Sequence, residues 1–168
     1  MKRILFITCA LMAAMTISAQ SIQGSWMSPA PFEENDVKGN IYFTFGNTVE
    51  LKVIATGKLD EMGSITFSAS IPGTYKQEGK ILKLNLDSKR SETKIEKMDF
   101  KPEVQQYFDQ NPDVKKKLTD GLMPIVTEIR DELAKDLGGN QTLTIKELTA
   151  TKLILLDEDE PMEFTRVQ

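Results

Sequence analysis

Apolar and polar side chains alternate in short runs between residues 23 and 100. In NIYFTFGN, Ile41, Phe43 and Phe45 fall on one side, with Tyr42 and Thr44 on the other. In TVELKVIATGK, Val49, Leu51, Val53 and Ala55 oppose Glu50, Lys52 and Thr56. SITFSASI repeats the pattern through Ile65, Phe67, Ala69 and Ile71, and KILKLNLD through Leu82, Leu84 and Leu86. A period of two with one apolar side predicts strands buried on one face and wet on the other. Turn-forming residues separate the runs: Gly46-Asn47 reads as a two-residue hairpin turn, followed by Asp60 to Gly63, Pro72-Gly73, Glu78-Gly79 and Asp87-Ser88. Ser91 to Phe100 is a less regular strand. Short, evenly spaced strands of this kind predict an up-and-down antiparallel sheet.

The period then becomes helical from Lys101 to Leu137. Val104, Tyr107 and Phe108 share one helical face, and Asn111-Pro112 reads as the start of a further helix. Leu122, Ile125, Val126, Ile129, Leu133 and Leu137 form an apolar stripe opposite Glu128, Arg130, Asp131 and Lys135. Pro124 is expected in a first turn or at a kink, and Gly138-Gly139 at the helix end. Alternation returns in QTLTIKEL, TKLILLDE and PMEFTRVQ, which predict three closing strands.

The first residues change the picture of where the chain works. Lys2 and Arg3 precede an apolar run from Ile4 to Ile17, and Ser18-Ala19 supplies small residues. Residues 1–19 thus read as a secretory signal peptide, with residues 20–168 as one exported domain, periplasmic or extracellular. Cys9 is the only cysteine, so the mature chain can form neither a disulfide nor a thiolate metal site. The net charge is −4, and loss of Lys2 and Arg3 makes it −6, the opposite of a nucleic-acid footprint. No further segment reads as a membrane span.

The 168 residues include no histidine. That excludes Ser-His-Asp and Cys-His catalysis, histidine zinc sites and the commonest general base at neutral pH. The acidic run Asp157 to Glu160, followed by Pro161, reads as a solvated turn, and Lys115 to Lys117 as a wet helix face. No catalytic residue, metal site or cofactor is expected.

With these patterns in place, the chain resembles the lipocalin-like domains of small secreted bacterial proteins. Gly24-x-Trp26 lies on the first strand after the signal peptide, and Arg166 lies near the chain end. The segment IPGTYKQEGKILKLNL resembles a recurring Gly-x-Tyr, turn, Leu-x-Leu hairpin of those families, and LTATKLILLDEDEPMEFTRV their closing hairpin. The resemblance implies a mainly β, antiparallel up-and-down barrel of about 8–10 strands, with a helical insertion over 101–139 before the last three. It implies that Gly24, Trp26 and Arg166 form a structural plug, the indole closing one end beneath the guanidinium.

Phe43, Phe45, Leu51, Val53, Phe67, Leu82, Leu84 and Leu86 would line such a barrel. They would form either a pocket for a small apolar or amphipathic ligand or a packed core. Tyr107, Phe108 and Met123 are the candidate lid residues if the insertion folds over the mouth; covering the barrel's outside or an open seam is the simpler expectation. The leading expectation is a non-catalytic exported binding protein for such a ligand. The alternatives are a filled barrel serving as a cell-surface interaction or accessory module, or a carboxylate-based hydrolase. A protein partner is left open.

Overall fold

The computed structural model describes residues 21–34 and 36–167; the expected signal peptide lies outside the described residues. Ten strands and two helices follow one another as β1 (Gly24–Met27), β2 (Phe32–Glu34), β3 (Val37–Phe45), β4 (Val49–Leu59), β5 (Gly63–Glu78), β6 (Ile81–Leu86), β7 (Glu92–Phe100), α1 (Pro102–Gln110), α2 (Pro112–Leu137), β8 (Gly139–Leu148), β9 (Lys152–Asp157) and β10 (Glu160–Val167). The fold is mainly β. Eight strands close a barrel in the order β1-β10-β9-β8-β6-β5-β4-β3, with β3 returning to β1, and every pairing is antiparallel. β2 is an extra strand on β3, and β7 an extra strand on β5. The helical insertion precedes the last three strands, as the sequence predicts.

The alternation sets which side of each strand faces inward. Along β4, Val49, Leu51, Val53, Ala55 and Leu59 are buried. On β6, Leu82, Leu84 and Leu86 are buried and Lys83 and Asn85 exposed. The β3–β4 turn is one residue longer than the pattern suggests. It runs from Gly46 to Thr48, and the Gly46 amide donates to the Thr48 carbonyl at 2.8 Å.

β5 changes partners halfway. Its residues Gly63 to Ser70 pair with β7, and Gly73 to Glu78 pair with β6. Gly73 stands at the switch, where a Cβ would lie 2.9 Å from the Leu86 Cα. No Cβ fits there without moving a backbone, so glycine is the residue that lets the strands come together. Beyond this point the sheet continues through β3, β4, β5 and β7, and α2 packs on β5 and β7.

α2 is one continuous helix of 26 residues, with Pro124 inside it rather than in a first turn. Pro124 is exposed. Its missing N–H frees a carbonyl on the wet side of the helix, where water reaches it, so the helix tolerates it.

Candidate functional site

The closed end is built around Trp26. Its backbone pairs with Phe43 on one side and Arg166 on the other, at the seam where first and last strands meet. The indole is fully buried, and its Nε1 donates to the Ile22 carbonyl at 2.7 Å. The Arg166 guanidinium carbon stands 4.3 Å from the ring centroid. Nη1 donates to the Gln23 carbonyl at 2.8 Å and Nη2 to the Ser21 carbonyl at 3.2 Å, while the buried Nε has no hydrogen-bond partner among the described residues. Gly24 sits at φ +121°, and a Cβ there would lie 2.6 Å from Nη1. Gly24, Trp26 and Arg166 thus form one unit. Glycine supplies the backbone shape and space, arginine ties down the incoming chain, and the indole fills the base. A shallow groove of about 480 Å³ beside it is lined by Ser21, Gln23, Thr149, Ala150 and Arg166.

The eight residues expected to line the barrel all point inward and are buried: Phe43, Phe45, Leu51, Val53, Phe67, Leu82, Leu84 and Leu86. They fall into two adjoining clusters. Phe43, Phe45, Leu51, Leu82, Leu84 and Leu86 pack with Trp26, Ile71, Leu143, Leu153, Leu155 and Phe164. The Phe43 ring stacks on Phe45 at 5.6 Å and meets Phe164 edge-on at 5.3 Å. Ile71, Leu82, Leu153 and Leu155 have no accessible surface at all. These four side chains are therefore packed on every side by their neighbours.

Val53, Ala55 and Phe67 form the second cluster, toward the mouth, and Val126 of α2 is buried among them. Ile129 and Leu133 pack on the same group, and Leu133, Ala134 and Leu137 reach the first cluster. The C-terminal half of α2 therefore enters the mouth. Its apolar stripe finds the inward face of β4 and β5, which corrects the expectation of the barrel's outside but not that of an open seam. The reason is the partner switch in β5: the sheet beyond it offers an uncovered apolar inner face, and the outer face of β4 carries Glu50, Lys52 and Thr56.

Of the candidate lid residues, Phe108 is buried against Phe100 of β7, ring centroids 4.7 Å apart. Met123 is half-buried on α2, and Tyr107 is 53% exposed. None of the three belongs to either interior cluster. Tyr107 and Phe108 instead line an open apolar groove of about 430 Å³ between α1 and the start of α2, with Met62, Val104, Val114 and Leu118. Sequence reading missed this groove. Its one visible signal was an apolar spacing of four between Val114 and Leu118 within a lysine-rich stretch.

Several charged groups pair on the surface. The Glu96 carboxyl on β7 accepts from Lys94 at 2.8 Å and from the buried Ser68 hydroxyl at 2.8 Å, with Lys52 at 3.6 Å. These contacts, the Lys94 bond first, hold its pKa down to about 2. Such a carboxylate is a poor proton carrier near neutral pH. Among the described residues no group of three or more acidic side chains is placed to hold a metal ion. Asp157 and Glu160 pair across the tight β9–β10 turn. No described helix is long and apolar enough to cross a membrane.

The eight-stranded up-and-down barrel, with a first-strand tryptophan beneath a last-strand arginine at one end, has a lipocalin-like fold. Two solved structures are similar to this chain at low identity. One is a lipocalin-like protein from Bacteroides uniformis, with 14% identity and a TM-score of 0.40, covering 87% of this chain and 98% of that one. The other, an uncharacterized protein from Bacteroides eggerthii, has the same identity and TM-score and covers 88% of this chain and 100% of its own. No family model and no curated protein matches the sequence.

Proposed function

We propose that this protein is an exported, non-catalytic accessory module: a filled lipocalin-like barrel that works through its outer surface. The observation that carries this reading is the occupied interior. Both the base and the mouth of the barrel are packed, the base by strand side chains and the mouth by α2. A ligand would have to displace about 1.5–3 kcal/mol of burial for each large apolar side chain it uncovered. Export rests on the reading of residues 1–19 as a signal peptide. The non-catalytic part of the reading rests on the histidine-free composition.

A second reading keeps the small apolar ligand. The mouth is closed by a helix rather than by strands, and that helix carries Gly121 and Pro124 near its middle. Displacing its C-terminal half would uncover Val53, Ala55 and Phe67. One experiment separates the two. Native mass spectrometry of protein purified from its own cells should show the bare mature mass, and titration with N-phenyl-1-naphthylamine should give no saturable signal. An apolar molecule retained at one per chain, and lost in Phe67→Trp, would replace the first reading with the second.

A further inference from the structure

The helical insertion adds nothing to the sheet. The strands find their partners among themselves, and among the described residues no backbone group from 102 to 137 bonds to any of them. Its departure would therefore orphan no strand amide or carbonyl. Two hydrogen bonds join this stretch to the strands. The Thr119 hydroxyl donates to the Met98 sulfur at 3.8 Å, and the Gln141 side chain of β8 donates to the Leu137 carbonyl at 2.8 Å. Its ion pairs stay at home: Lys116 with Asp120 and Arg130 with Asp131, each within α2. Lys115 adds a cation over the Phe100 ring, 5.8 Å from its centroid.

Apolar contact does the rest. Phe108, Val126 and Ala134 are buried, and Ile129, Leu133 and Leu137 pack half-buried on the interior clusters. A long segment held by so few buried side chains against its conformational entropy has the profile of a unit that opens before the rest of a fold. Both of its ends permit a swing. At the first, Lys101 leaves the strand with ψ 149° before α1 begins, and its amide is fixed to the Met62 carbonyl at 2.9 Å. At the second, Gly139 sits at φ +88° with no atom within 4 Å of where a Cβ would be. Rotation about the line between these two joints lifts α2 from the mouth and moves no strand.

We infer that α1 and α2 form a flap that opens on these joints as one unit while the barrel stays folded. The open state uncovers Val53, Ala55 and Phe67 at the mouth, an apolar surface that the closed state hides. The opening belongs to the chain by itself and needs no ligand. It therefore goes beyond both readings above and stands whichever of them is right. The mature chain offers a clean probe, because its one cysteine, Cys9, lies in the expected signal peptide. Ala55→Cys puts a thiol beneath the flap, and Val49→Cys puts one in the base; the two positions are 2% and 1% exposed.

Iodoacetamide should label Ala55→Cys at least about tenfold faster than Val49→Cys, with a shallower urea dependence, since the flap uncovers less surface than global unfolding. Hydrogen exchange checks the wild type without substitution. Undocked, a helix that holds Gly121 and Pro124 is marginal in water, so the amides of α1 and α2 should exchange together, ahead of those in β4 and β5. Val126→Asp would bury a charge under the closed flap and should hold it open. Ala55→Cys should then label as fast as a free thiol, with Val49→Cys still protected and the strand signal in circular dichroism retained. Equal labelling of the two thiols with equal urea dependence would overturn the inference, as would unfolding of the barrel by Val126→Asp. So would helical amides that exchange early while Ala55→Cys stays as protected as Val49→Cys, because the helices would then be fraying in place.

Discussion

Trp26 shows how much one side chain can settle. It fills the base of the barrel, donates its only polar hydrogen to Ile22, and carries the guanidinium of the last strand on its face. Truncation removes a large buried ring and leaves Arg166 over a hole. Trp26→Ala should therefore cost about 3–5 kcal/mol, read as a lowered denaturant midpoint. A variant as stable as the wild type would mean that the ring does not close the barrel. Glu96 shows a different dependence. Its pKa is lowered from 4.5 to about 2 by Lys94, Ser68 and Lys52. A carboxyl that is more acidic folded than unfolded stabilises the fold above its unfolded value, and that contribution is lost as the pH falls through the folded one. Stability should thus decline between about pH 4.5 and 2, and Glu96→Gln should show a shallower decline over that window in acid titrations followed by circular dichroism. Glu78 is lowered to about 2 in the same sense by Lys76 and Lys83, so the variant flattens the slope without abolishing it. Neither effect follows from composition. Ser68 meets Glu96 only because β5 and β7 pair in that register.

Strands and helices differ in how openly the chain declares them. Each β-strand from β3 to β6 was legible because alternation is a local property: a residue's side of the sheet depends only on its place in the run. The α2 stripe was legible for the same reason. What it packs against was not, since a helical stripe specifies an apolar neighbour without naming one. The partner switch in β5 supplied that neighbour, and it depends on two glycines. Gly73 lets β6 come close, and Gly63, at φ +146°, starts β5 where a Cβ would lie 2.9 Å from the Phe100 Cα. Gly63→Ala should destabilise the fold by about 1–3 kcal/mol in urea melts, because strain and collision act together. Gly46→Ala serves as the comparison, with open space around its Cβ and no positive φ, and should change little. Equal costs at the two positions would show that β5 and β7 are not held at that distance.

As a whole, the molecule places its apolar side chains in two settings. Most fill a cylinder that Trp26 closes at one end and α2 at the other. A smaller set, Phe32, Tyr107, Val114, Ile125 and Val167, lies exposed on the surface. The amino-acid order was sufficient for most strand and helix positions, the inward-facing residues and the lack of histidine chemistry, because each is carried by local spacing or by residue type, whereas the Trp26–Arg166 pairing came from the family resemblance. The filling of the barrel, the route of α2 into its mouth and the groove beside Tyr107 emerged only from the folded chain. Each depends on segments far apart in sequence meeting at a particular distance, and neither hydrophobic period nor composition carries that distance.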